Sequence, residues 1–119
     1  MPRVLLAGKD WKLRALLRAQ LKEEGVEVIA LENAREALNS LTGLANLPKL
    51  LVADLTDSSH PAAEVDLLVR WTSILPIWLV LSRTVTLSHA IDELGFERAI
   101  YRPVDMARLV QEIKERAQK

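Results

Sequence analysis

Ile77-Trp78-Leu79-Val80-Leu81 is an unbroken apolar run, entered at Pro76 and left at Ser82. A strand with one wet face alternates apolar and polar residues, whereas a continuous short run bounded by turn-like residues marks a strand covered on both faces in a parallel sheet. A second run, Leu50-Leu51-Val52-Ala53-Asp54-Leu55, is broken only by Asp54, and the polar stretch Thr56-Asp57-Ser58-Ser59-His60-Pro61 follows at once. A carboxylate therefore ends a strand that the pattern buries.

Working outward, Val4 to Ala7 is a first short strand, Gly8-Lys9-Asp10 a turn, and Trp11 to Glu24 an amphipathic helix with Leu13, Leu16, Leu17 and Leu21 on one side. Asp10 suits the N-cap and Gly25 the exit, where positive φ is often required. Val26 to Leu31 predicts a second strand, and Asn33 caps a helix whose inner side includes Ala37, Leu38 and Leu41. Gly43, Asn46 and Pro48 interrupt the chain between Thr42 and Lys49, before the run that ends in Asp54. From Pro61 or Ala62, the stripe Val65, Leu67, Leu68, Trp71 and Ile74 predicts a third helix leading to Pro76. Beyond Leu81, Thr84 or Thr86 caps a short helix containing Leu87, Ala90, Ile91 and Leu94, stopped by Gly95. Ala99-Ile100-Tyr101 is a fifth strand, Arg102-Pro103 a turn, and Asp105 to Ala117 a final helix with Met106, Leu109, Val110 and Ile113 inward.

Strands and helices thus alternate five times, which predicts an α/β protein of (βα)5 order. The 119 residues form one domain, 1–119. Right-handed crossovers put helices on both faces of a parallel sheet and functional loops at the carboxyl ends of its strands. Gly8, Lys9, Asp54, Thr56, Ser82 and Arg102 all fall at such ends.

Composition excludes several kinds of chemistry. With no cysteine there is no disulfide, thiol nucleophile or cysteine-held metal, and a reducing compartment fits. His60 and His89, the two histidines, form no cluster in the sequence and read as solvated loop and helix-surface residues. Sixteen basic residues balance sixteen acidic ones, so no general pull toward nucleic acid is expected. The basic run Lys12, Arg14, Arg18 and Lys22 adjoins Glu23-Glu24 and reads as a solvated helix face. No apolar stretch approaches the roughly 20 residues that span a bilayer, and Met1-Pro2-Arg3 passes directly into the first strand, so the expectation is a cytoplasmic protein without membrane contact. Of the tryptophans, Trp78 reads as core, Trp71 as a shield for a helix edge and Trp11 as an exposed anchor. No G-x-G-x-x-G or Walker loop supports a nucleotide- or flavin-dependent enzyme, and no helix-turn-helix segment stands outside the five units.

Asp54 ending the third strand, Arg102-Pro103 after the fifth, Leu21-Lys22-Glu23-Glu24-Gly25 closing the first helix and Leu75-Pro76-Ile77 opening the fourth strand together resemble a bacterial response-regulator receiver domain, over essentially the whole chain. The resemblance implies a flavodoxin-like fold with strand order 2-1-3-4-5, a phosphoryl-accepting aspartate at Asp54, a bound magnesium ion and a cis bond between Arg102 and Pro103. It also implies a docking or dimerisation face on the last two helices and the strand between them, with His89, Glu93, Glu97, Arg98, Arg108 and Glu112 as surface positions.

The chemistry of that family is only partly present. Two adjacent acids normally follow the first strand, where this chain has Gly8 and Lys9; Asp10 comes one step later and reaches the site only if the loop shifts. The usual hydroxyl at the end of the fourth strand is Leu81, followed by Ser82, and the usual lysine is Arg102. The family's methionine-proline pair after the phosphoacceptor is Asp57-Ser58. Magnesium needs oxygen ligands, and Lys9 opposes a divalent cation, so weak or absent Mg2+ binding is expected. Lys9 is expected instead to pair with Asp54 in the metal's place, beside Arg102, while Ser82 and Thr56 serve as loop hydroxyls.

Two functions follow. One is a degenerate receiver that works through a protein partner or a second copy of itself, with no cofactor and no enzyme activity. The other is a phosphorelay regulator in which Asp54 accepts a phosphoryl group from a histidine kinase, with Asp10 and Asp54 holding Mg2+ and Arg102, Lys9 and Ser82 assisting.

Overall fold

The computed structural model describes residues 1–83 and 91–119, the side chain of Asp92 aside. Five strands, β1 (Arg3–Ala7), β2 (Glu27–Leu31), β3 (Leu50–Asp54), β4 (Ile77–Leu81) and β5 (Arg98–Tyr101), form one parallel sheet in the order β2-β1-β3-β4-β5. Four α-helices are described: α1 (Trp11–Glu23), α2 (Ala34–Leu41), α3 (Pro61–Val69) and α4 (Met106–Ala117). The expected helix holding Leu87 and Ala90 lies in 84–90, outside the described residues, as do His89, Thr84 and Thr86; its expected end is a 3-10 turn at Ile91–Glu93.

Strand alternation sorts the core into two layers. Leu5, Ala7, Leu51, Ala53, Ile77, Leu79 and Leu81 meet α2 and α3 on one face. Val4, Leu6, Leu50, Val52, Trp78 and Val80 meet α1 and α4 on the other. Because both faces are covered, every residue of β3 and β4 is buried, which is why these two segments read as continuous apolar runs. Each fully buried leucine contributes about 1.5–3 kcal/mol relative to exposure, and Leu50, Leu51, Leu79 and Leu81 are among the fully buried side chains.

The caps follow the local chemistry. Asp10 accepts from the Lys12 and Leu13 amides, Asn33 from Glu36 and Asp105 from Arg108. Gly25 takes φ 81° where the chain leaves α1 for β2. One expectation needs correction. The third helix stops at Val69, so Trp71 lies in the following turns, half-buried against the core, and Ile74 is exposed. Leu75 takes the buried place instead, because the turns after α3 rotate the chain toward Pro76 and β4.

Candidate functional site

β1, β3 and β5 bring their carboxyl ends to one side of the sheet, and three charged residues from the loops there meet. Asp54 is the last residue of β3 and 8% exposed, the sole buried charged residue among those described. Its Oδ2 accepts from Arg102 Nη2 at 2.7 Å. Its Oδ1 accepts from the Thr56 hydroxyl at 2.6 Å and the Thr56 amide at 3.1 Å. Both carboxylate oxygens are thus engaged by groups of the chain itself, the condition under which a buried charge is tolerated.

The same Arg102 nitrogen also donates to Asp10 Oδ2 at 3.3 Å. Asp10 keeps Oδ1 on the amides of Lys12 and Leu13. It therefore caps α1 and reaches Arg102 at the same time. The Leu13 amide, with help from Arg102 and against partial desolvation, holds the Asp10 carboxyl below the usual carboxylate range. Burial works against the Arg102 charge, but the carboxylates of Asp54 and Asp10 outweigh it and raise its pKa above the ordinary value. Arg102 enters from a fixed platform: its amide donates to the Leu81 carbonyl, and the Arg102-Pro103 bond is cis.

Lys9 does not join this group. Its ammonium donates to Ser59 Oγ at 2.6 Å, on the exposed side of the loops, and no ion pair links it to Asp54. The expected Lys9–Asp54 pair is therefore replaced by Arg102–Asp54. Arg102 departs from a strand end two positions away in the sheet, whereas the lysine chain, leaving next to Asp54, points outward. Thr56 is the residue that sequence reasoning undervalued; its spacing two after Asp54, which suits an Asx-type turn, was the available signal. Leu81, where the resemblance puts a hydroxyl, is 1% exposed and belongs to the apolar core. Ser82 follows it, half-buried, at the exit of β4.

The donor set does not fit the magnesium ion that the resemblance implies. A guanidinium already holds Asp54 Oδ2, one oxygen of Asp10 caps a helix, and Lys9 brings a positive charge to the loop. Gly8 offers no side chain, and a Cβ built there would stand 2.9 Å from the Asp54 Cβ. Among the described residues, no group of three or more acidic or histidine side chains is placed to hold a metal ion.

On the far edge of the sheet, β5 and α4 carry a second charged network. Arg116 forks onto Glu97 at 2.8 to 3.0 Å, and the Trp78 indole donates to the same carboxylate at 2.7 Å. Arg98 stacks over the Trp78 ring at 4.8 Å and pairs with Glu112, which Arg108 also holds at 2.9 Å. Glu97, Arg98, Arg108 and Glu112, expected as surface positions, are thus tied to partners within the chain.

No family model matches this sequence. Solved structures do. A receiver domain of a Francisella response regulator superposes with a TM-score of 0.77 at 17% identity, covering 99% of this chain and 98% of that one. A CheY-like receiver domain protein from Methanospirillum hungatei reaches a TM-score of 0.80 at 12% identity, over 98% of this chain and 94% of that one. The non-phosphorylated HemR receiver domain of Leptospira biflexa gives 0.76 at 21% identity, over 100% and 96%. The chain has the receiver fold from end to end, with the strand order 2-1-3-4-5 expected from the resemblance.

Proposed function

We propose that this protein is a receiver-like signalling module whose phosphorylation pocket is silent, and that it acts by docking a protein partner or a second copy of itself. The observation that carries the reading is the engagement of both Asp54 oxygens, Oδ2 by Arg102 and Oδ1 by Thr56. A carboxylate that attacks phosphorus needs a metal ion to neutralise and orient the phosphoryl oxygens. Here the neutralising charge is a guanidinium already bonded to the would-be nucleophile. Arg102 performs, within the fold, the electrostatic work that a divalent cation performs in a phosphorylated pocket. The loops at the strand ends are then held in one arrangement without phosphate. Among the described residues no helix is long and apolar enough to cross a membrane.

Incubation with acetyl phosphate and magnesium, followed by intact-mass analysis, tests the reading. Unchanged mass in the wild-type protein is expected. An added phosphate that disappears in Asp54→Asn would overturn the silent pocket and favour the alternative, a regulator that accepts a phosphoryl group at Asp54. Light scattering across a concentration series separates the two modes of docking, since a species that stays monomeric requires a different protein as partner.

A further inference from the structure

A cleft of about 280 Å³ opens beside the Asp54 site, between the loop after β1, the start of α2 and the loop leading into α3. Lys9, Arg35 and His60 line it together with the hydroxyls of Ser58 and Ser59, and Leu67 supplies an apolar wall. Arg3, Arg98, Arg102, Arg108, Lys114 and Arg116 each hold a carboxylate. Lys9 holds only a neutral hydroxyl, and Arg35 and His60 have no side-chain partner among the described residues; Arg14, Arg18, Lys22, Lys49 and Arg70 hold no carboxylate either, but none of them lines this cleft. One carboxylate also lines the cleft, that of Glu64, whose Oε1 accepts from the Ala34 amide at 2.9 Å, and the Glu36 carboxylate accepts from the Glu32 amide at 3.1 Å.

We infer that this cleft binds a small organic phosphate monoester. Its head would lie among the Lys9 ammonium, the Arg35 guanidinium and the hydroxyls of Ser58 and Ser59, and its apolar body against Leu67. A phosphate dianion offers three acceptor oxygens, which suits a lining of cations and hydroxyl donors better than a carboxylate does. The volume is large enough for a phosphate with a ring-sized substituent. The cleft is separate from the Asp54–Arg102–Asp10 cluster, so the inference stands whether or not Asp54 accepts phosphate.

Phenyl phosphate is the probe, followed by amide NMR on the intact chain, with inorganic phosphate and phenol as companion titrations. Saturable shifts of the Arg35, Ser58, Ser59 and His60 amides are expected, with affinity weakened about tenfold by Arg35→Glu or by Lys9→Glu and unchanged by Arg18→Glu on α1. Inorganic phosphate should bind more weakly than phenyl phosphate, and phenol should not saturate. An affinity indifferent to Arg35→Glu, an equal loss in Arg18→Glu, equal binding of inorganic phosphate, or shifts centred on Asp54 and Arg102 would each overturn the inference.

Discussion

A Cβ built on Gly8 would lie 2.9 Å from the Cβ of Asp54 and 3.1 Å from its carbonyl oxygen. Gly8 directly follows β1, whose Ala7 is in register with Ala53 of β3, so the two residues face each other just where the strands end. The missing side chain at Gly8 and the buried carboxylate at Asp54 are one packing feature. A side chain at Gly8, where the resemblance would put an acid, would meet the neighbouring strand.

Gly8→Ala should therefore destabilise the fold by about 1–3 kcal/mol, the usual cost of inserting a methyl group into filled space. Urea denaturation measures it. An unchanged midpoint would mean that β1 and β3 part freely at this end, and that Gly8 does not restrict the pocket.

Removing the cation from Asp54 should cost more than removing an exposed ion pair. Arg102→Met leaves a buried carboxylate with only Thr56 as partner, and a loss of about 1–3 kcal/mol is expected. Combined with Asp54→Asn, the loss should be less than the sum of the single effects by about 1 kcal/mol, since the two side chains share one interaction. Strict additivity in the double-mutant cycle would contradict the pairing.

Thr56→Val keeps shape but deletes the hydroxyl that donates to Asp54 Oδ1. A destabilisation of about 1 kcal/mol is expected, with Thr56→Ser close to wild type. If Thr56→Ser falls while Thr56→Val holds, the methyl group rather than the hydrogen bond governs the site.

Acid should weaken the fold through three carboxylates. Arg116, aided by the Trp78 indole, holds Glu97 below its ordinary range, Arg98 does the same for Glu112, and the Leu13 amide with Arg102 for Asp10. A carboxyl whose pKa is lower folded than unfolded contributes stability that is complete above the unfolded value and lost as pH falls through the folded one. The denaturation midpoint should hold steady near neutrality and fall below about pH 4. Glu97→Gln should flatten part of that fall; a slope identical to wild type would exclude Glu97 from it.

Much of this molecule is legible locally. The covered strands Leu50–Asp54 and Ile77–Leu81, the Asp10 and Asn33 caps and the turn at Gly25 follow from periodicity and side-chain chemistry within a few residues. Asp54 at a strand end was equally visible, because a lone carboxylate interrupts an apolar run. What pairs with it was not. Lys9 and Arg102 are both cations at strand ends in the same loop cluster, and no local rule separates a lysine that turns outward to Ser59 from an arginine that reaches across the sheet.

The contacts that decide the site span long stretches of chain. Arg102 meets Asp10 across 92 positions and Asp54 across 48, while Glu64 reaches the Ala34 amide across 30. The sequence by itself determined the fold class, its parallel strands and the absence of a carboxylate at Gly8 and Lys9, since these depend on residue type and short-range pattern. Only the tertiary structure decided that Arg102 holds Asp54 and leaves Lys9 beside the neighbouring cleft. That choice depends on strand order and on where side chains of fixed length end in space, which sequence spacing does not encode.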